Sequence, residues 1–263
     1  MKRDAWTSGD AYEAFMGRWS RPVAARFVSW LGIGPGLRWL DVGCGTGALS
    51  GTVLASAEPG SVLGIDPSEA FVGAAAGRCA DPRARFQVGG AGDLAVADGA
   101  VDVVVSGLVL NFVPAPAQAL AEFLRVTAPG GTVAAYVWDY AEGMAMLRRF
   151  WTAAAELDPR AAELDEGARF PLCHPGALRD LWVGAGLAEV ATEAITVGTT
   201  FAGFEDYWSP FLGGQGPAAA YVASLDEPGR AALRNRVRQA VDPGGGGELA
   251  LTARAWAVRG TRG

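Results

Sequence analysis

A doubly wound α/β sheet is the fold that the 263-residue sequence predicts, on three observations. Short apolar runs alternate with helical periodicity between residues 37 and 138, the β-α rhythm of parallel strands. The first run ends in a glycine-rich turn, LDVGCGTGALS over residues 40–50, that opens a helix. Asp66 closes the second run about 20 residues beyond that turn, the position of the ribose-binding carboxylate in nucleotide-binding sheets of this kind.

Two helical segments, about 9–18 and 21–31, precede the sheet, and on the first Tyr12, Phe15, Met16 and Trp19 fall at i, i+3, i+4 and i+7. Buried strands are expected at 37–42 (LRWLDV), 61–66 (SVLGID), 84–88 (ARFQV), 101–106 (VDVVVS) and 131–138 (GTVAAYVW). Helices are expected to start near Thr46, Ser68, Leu108 and Ala115. Past Trp138 a helical stretch runs to about 156, and an acidic, proline-punctuated segment follows to Pro171. PGALRDLWVGAGLAEVATEAITV then reads as helix, glycine turn and sixth strand. Residues 201–241 read as helical, with a second aromatic stripe at Phe204, Tyr207, Trp208 and Phe211. GGGGELALTARAWAVRG reads as a turn into a seventh strand, so the glycine run is a turn and not a domain linker. The sequence has no internal repeat and is read as one domain, 1–263, with cap elements at about 1–32, 140–180 and 201–241.

Half the residues are hydrophobic and 19% are charged, which argues against a predominantly disordered chain. A net charge of −6 gives no general attraction to nucleic acid or anionic lipid, so the expected partner is a small molecule. The start, MKRDAWTSGD, lacks an apolar signal core, and VDVVVSGLVLNFV is too short to span a bilayer; a cytoplasmic protein without a membrane span is expected. Cys44, Cys79 and Cys173 are scattered and His174 is the sole histidine, so no metal site is assigned. The sequence leaves the oligomeric state open.

The glycine turn satisfies two patterns. Gly43, Gly45 and Ala48 fit a dinucleotide turn, while Gly43, Gly45 and Gly47 fit a tighter G-x-G-x-G, and either would place a ligand on the N-terminus of the following helix. Asp41, just before the glycines, would repel a pyrophosphate and attract an amino group. S-adenosylmethionine carries an ammonium, a carboxylate and a sulfonium and no phosphate, so the methyl donor is favoured over NAD. Asp66 suits the ribose of either, and its alternative role is an N-cap before the helix at Ser68.

At this point the sequence resembles the class I S-adenosylmethionine-dependent methyltransferases. LDVGCGTG looks like their first motif, GIDPSEAFV their second, DGAVDVVVSGLVLNFVP their fourth and APGGTVAAYVW the segment into their fifth strand. HPGALRDLWVGAGLAEV is similar to the quinone-biosynthesis C-methyltransferase branch; YEAFMGRWSR and FEDYWSPFLGGQGPAAAYVASL are similar to an uncharacterised bacterial subgroup. The resemblance implies methyl transfer, with S-adenosylhomocysteine as product, on a seven-stranded sheet of order 3-2-1-4-5-7-6 whose last strand is antiparallel.

Carried over by position, Asp41, Gly43, Cys44, Gly45, Thr46 and Gly47 would surround the methionine part, Asp66 the ribose, and Pro67 and Ser68 the adenine side. Ser106, Gly107 and Leu108 would line the path near the sulfonium, with Tyr12 and Arg18 as further cofactor contacts. Gly90, Ala91 and Gly92 fall where many members have the Asp-Ala that reads adenine, and Asp93 is nearby but out of register. Methyl transfer is an in-line displacement that alignment in a dry site accelerates, so no catalytic triad is required. Asp139, Tyr140 and His174 are the candidates for a proton-handling group, each with a capping alternative. Trp19, Asn111, Trp138, Tyr140, Tyr207 and Trp208 are the candidate contacts to a small, apolar or aromatic acceptor. The alternatives are an NAD-linked oxidoreductase and a non-catalytic S-adenosylmethionine-binding protein.

Overall fold

The structure, a computed structural model, describes residues 17–213 and 216–263. Helix α1 (Arg18–Leu31) leads into a seven-stranded sheet: β1 (Arg38–Val42), β2 (Ser61–Asp66), β3 (Ala84–Val88), β4 (Val101–Gly107), β5 (Thr127–Trp138), β6 (Ala188–Phe201) and β7 (Leu249–Thr261). The strand order is β3-β2-β1-β4-β5-β7-β6, with β7 antiparallel. Strands β1 to β5 pair in parallel, with Leu40 opposite Leu63 and Val104. Gly130 N donates to Arg262 O and Arg262 N to Gly131 O, both at 2.8 Å, the exchange of an antiparallel β5–β7 pair. The helices between strands are α2 (Ala48–Ser56), α3 (Glu69–Arg78), α4 (Pro116–Val126), α5 (Ala145–Leu157), α6 (Glu166–Arg169), α7 (Pro175–Gly184), α8 (Phe204–Trp208), α9 (Gly216–Ser224) and α10 (Glu227–Val241).

The strands follow the sequence expectation closely except β5, which begins four residues early, and β6, which runs past Val197 to Phe201, the first residue of the expected helical stretch. Thr127 already pairs with Val101, and a register shift follows before Thr132 pairs with Val103. Two glycines make the shift possible. Gly130 has φ 77°, and a Cβ on Gly131 would lie 2.6 Å from Asp102 O. The helix expected near Leu108 is a single 3-10 turn, Leu110–Phe112, because Leu108 takes φ 61° and Pro114 follows. The expected helical run over 201–241 is divided into α8, a 3-10 turn (Ser209–Leu212), α9 and α10, with Pro210 and Gly213 at the first break. The expected helix at 9–18 lies almost wholly outside the described residues.

The chain divides into two compact units. One comprises Ser20–Val137, Leu172–Ile195 and Ala255–Gly263 and is built on the parallel strands. Its interior holds Phe27, Trp39, Leu40, Phe123, Tyr136 and Trp182. The Trp182 indole N–H is satisfied by Val133 O at 3.0 Å. The described part of the other comprises residues 17–19, Trp138–Pro171 and Thr196–Arg254. Its interior is aromatic: Phe150 stacks on Phe211 at 4.5 Å and stands edge-on to Trp151 at 5.0 Å, while Phe204 stacks on Tyr207 and Trp208. No helix of the described residues is long and apolar enough to cross a membrane.

Candidate active site

Beyond Val42 the chain turns through Gly43, Gly45 and Gly47 at φ 77°, 51° and 87°, a region in which a Cβ is strained. Space closes Gly43 further, since a Cβ there would lie 2.6 Å from Val109 Cγ1. Gly47 is the N-cap of α2, so that helix starts two residues later than Thr46, which is itself buried. Gly43 N and Cys44 N both donate to Ile65 O, at 2.7 and 3.0 Å, and pin the turn to β2.

Asp66 completes the pin. Its Oδ2 accepts from Gly45 N at 3.0 Å and its Oδ1 from Ser68 N at 2.9 Å, joining the glycine turn to the start of α3. Burial pushes its carboxyl above the usual range, and the two N–H bonds oppose that shift. The N-cap of α3 is Ser68, whose Oγ accepts from Phe71 N, and Pro67 is exposed beside it.

Asp41 is 1% exposed. Burial raises its carboxyl to about 7, against a 2.6 Å hydrogen bond donated by Ser50 Oγ to Oδ2; the Asp66 charge adds to the rise. Its Oδ1 is buried and has no hydrogen-bond partner among the described residues. A carboxylate oxygen left this way fits a cationic or N–H donor such as an ammonium. Near neutral pH the Asp41 carboxyl is therefore only partly ionised, and a bound cation would restore its charge. Ser50, which the sequence reading did not single out, is the residue that orients Asp41. Its signal was a hydroxyl in the first turn of the helix after the glycines.

Past β3, Gly90 and Asp93 form a single antiparallel bridge. The loop around Gly90, Ala91 and Gly92 is held from α4: Gln118 Nε2 donates to Gly92 O at 3.1 Å, Glu122 Oε2 accepts from Leu94 N at 2.9 Å, and Arg125 donates to Leu94 O and Val96 O. At the end of β4, Ser106 is buried, and a Cβ on Gly107 would meet Tyr136 Oη at 2.6 Å. Leu108 N donates to Tyr136 O at 2.8 Å, and its positive φ sends the chain into the turn that sets Val109 against Gly43. The Nδ2 of Asn111, in the same turn, is buried without a partner among the described residues. The structure thus gathers Asp41, the three glycines, Asp66 and the segment after β4.

The other candidates are engaged structurally. Asp139 Oδ1 accepts from Glu142 N at 3.0 Å and its Oδ2 from Arg254 Nε at 2.7 Å, so both oxygens are used. Tyr140 is 6% exposed with its ring 5.6 Å from Phe170, and Trp138 is buried. His174 is the N-cap of α7, its Nδ1 accepting from Gly176 N at 3.2 Å. Tyr207 Oη donates to Met146 O at 2.7 Å inside the aromatic cluster, where Trp208 is also buried. Trp19 stands edge-on to Phe201 at 5.4 Å, and Arg18 pairs with Asp206. Tyr12, Phe15 and Met16 lie outside the described residues. Among the described residues, no cluster of three or more His, Cys, Asp or Glu could hold a metal ion.

Residues 40–135 match the family described as "Methyltransferase domain". An uncharacterised protein of Mycobacterium tuberculosis is 30% identical over 167 residues, 60% of each chain, so the chain spans less than two thirds of that relative's length. Nocamycin O-methyltransferase of Saccharothrix syringae is 29% identical over 225 residues, 75% of this chain and 80% of that protein. Among solved structures, phosphoethanolamine N-methyltransferase 2 of Haemonchus contortus, crystallised with S-adenosylhomocysteine, shares the fold at TM-score 0.61 and 15% identity, over 97% of this chain and 57% of that one. Over residues 40–135 the chain thus carries the methyltransferase domain of the class I S-adenosylmethionine-dependent kind.

Proposed function

We propose that the chain transfers the methyl group of S-adenosylmethionine to a small acceptor with an apolar or aromatic body. The observation that carries this reading is the buried, unpartnered Asp41 Oδ1 next to a glycine turn, which suits an ammonium-bearing ligand and not a pyrophosphate. When bound, the cofactor supplies an electrophilic methyl on a sulfonium and leaves as S-adenosylhomocysteine.

In this reading Asp41, oriented by Ser50, faces the ammonium of the amino-acid end. Asp66 accepts the ribose hydroxyls while its N–H bonds hold it in place, and Pro67, Ser68 and the Gly90–Gly92 loop border adenine. The chain from Ser106 to Leu108 lines the approach to the methyl. Acceleration then comes from alignment and from exclusion of water. Asp139 and His174 act as structural caps in this scheme, since their hydrogen bonds occupy the atoms a base would use. An acceptor of small size fits the relative named for O-methylation of nocamycin. A cytoplasmic setting fits the three free cysteines, Cys44, Cys79 and Cys173.

Calorimetry with S-adenosylhomocysteine and with NAD tests the cofactor, and mass spectrometry of a metabolite extract tests the reaction. Binding of S-adenosylhomocysteine and an enzyme-dependent gain of one methyl mass are expected. Binding of NAD alone would overturn the reading, and cofactor binding without turnover on any extract component would make the chain a non-catalytic binder.

A further inference from the structure

We propose that Arg18 and Thr199 form a carboxylate-binding site within the unit that holds the aromatic cluster. The Arg18 guanidinium lies over two rings, its Cζ 5.0 Å from the Trp19 centroid and 4.6 Å from that of Phe201. One corner is tied down: Nη1 donates to both oxygens of Asp206, at 3.2 and 3.3 Å. Nε and Nη2 are shielded from solvent and have no hydrogen-bond partner among the described residues. The Thr199 hydroxyl is in the same condition, on a residue 2% exposed. Along β6 the residues Ile195, Val197, Thr199 and Phe201 are all buried, so Thr199 shares a face with Phe201, about 7 Å further along the strand.

A buried donor without an acceptor is costly, and a charged one more so. Here two charged N–H groups of a guanidinium stacked on Phe201, and a hydroxyl on the strand face that Phe201 shares, stand unpaired. The Nε–Nη2 edge of a guanidinium presents two parallel N–H bonds at the spacing of a carboxylate's oxygens. Asp206 holds the opposite corner and fixes the plane, while Trp19 and Phe201 offer apolar surface. A small carboxylic acid with an apolar or aromatic body matches that set. The amino-acid end of the cofactor carries the same group, so the carboxylate has two possible sources. Its assignment to an acceptor acid rests on the methyl-transfer reading above, whereas carboxylate binding itself does not.

The test is calorimetry on the full chain and on two variants, Arg18→Lys, which keeps the charge but loses the fork, and Thr199→Val, which keeps the shape but loses the hydroxyl. The probes are S-adenosylhomocysteine, 5′-methylthioadenosine, which lacks the amino-acid end, and trans-cinnamate and benzoate added to the chain saturated with S-adenosylhomocysteine. Both variants should weaken one carboxylate probe by about tenfold or more, as expected for charge-assisted bonds, and leave 5′-methylthioadenosine unchanged. Weakened cinnamate or benzoate binding alone assigns the site to an acceptor acid; weakened S-adenosylhomocysteine binding assigns it to the cofactor. The proposal is overturned if neither probe responds, or if 5′-methylthioadenosine weakens in parallel. Failure of both nucleosides to bind the unaltered chain would defeat the methyl-donor reading, with acid binding still deciding this one.

Discussion

Replacing Asp66 probes the site and the fold at once, because the structure gives its carboxylate two duties. Oδ2 holds Gly45 N and Oδ1 holds Ser68 N, at 3.0 and 2.9 Å. Hydrogen bonds to a charged group contribute roughly 1.5–3 kcal/mol each. Asp66→Ala removes both and leaves two backbone donors facing a cavity, so a stability loss of about 3–5 kcal/mol is expected, a large share of an ordinary domain's 5–15 kcal/mol. Asp66→Asn is the informative variant. Its Oδ1 still serves one N–H while its amide opposes the other, for a loss of about 1.5–3 kcal/mol that leaves the chain folded. If the same carboxylate also receives the ribose diol, S-adenosylhomocysteine binding by Asp66→Asn should weaken by at least about tenfold. Urea unfolding gives the first quantity and calorimetry on the folded variant the second. An unchanged unfolding midpoint would refute the clamp, and unchanged affinity would refute the ribose contact.

Other outcomes follow from single contacts. Glu166 is 4% exposed beside the Trp151 indole, and burial raises its carboxyl to about 7 from an ordinary 4.5. A group raised in the folded state stabilises fully below pH 4.5 and loses that contribution as pH climbs through about 7, here about 3 kcal/mol at 1.36 per unit. Glu166→Gln keeps an acceptor for Trp151 and should flatten the pH dependence of the urea midpoint between pH 5 and 8; a slope equal to the parent's would refute the assignment. Gly90 has no positive φ and nothing within 4 Å of an added Cβ, so Gly90→Asp should fold and bind S-adenosylhomocysteine about fivefold tighter, the equivalent of about 1 kcal/mol. No gain, together with weakened binding in Asp93→Ala, would move the adenine contact to Asp93. Tyr207→Phe loses the bond to Met146 O and should cost about 1–3 kcal/mol of stability with kinetics intact. Slowed turnover at unaltered stability would instead make Tyr207 an acceptor contact.

The sheet was legible because its information is local and periodic. Runs such as SVLGID and VDVVVS carry their burial in composition, and the glycines of LDVGCGTG announce a turn that only positive φ can make. Asp41 and Asp66 could be singled out from their place beside that turn. Their hydrogen bonds could not. That Ser50 reaches Asp41, or that Val109 closes the space over Gly43, depends on how a helix and a later strand end return to the turn, and spacing along the chain does not encode it. The same holds for the aromatic stripes. Helical periodicity marks Phe204, Tyr207, Trp208 and Phe211 as one face but says nothing of what that face meets. The tertiary structure decided that these rings fill a cluster with Phe150, and that the two oxygens of Asp139 and the Nδ1 of His174 are spent on neighbouring groups. Sequence therefore determined the fold and the residues of the glycine turn, where each residue's conformation is set by its own chemistry. Which polar groups are satisfied and which stand ready for a ligand was decided by packing, because a hydrogen bond exists only when two distant segments bring donor and acceptor within about 3 Å.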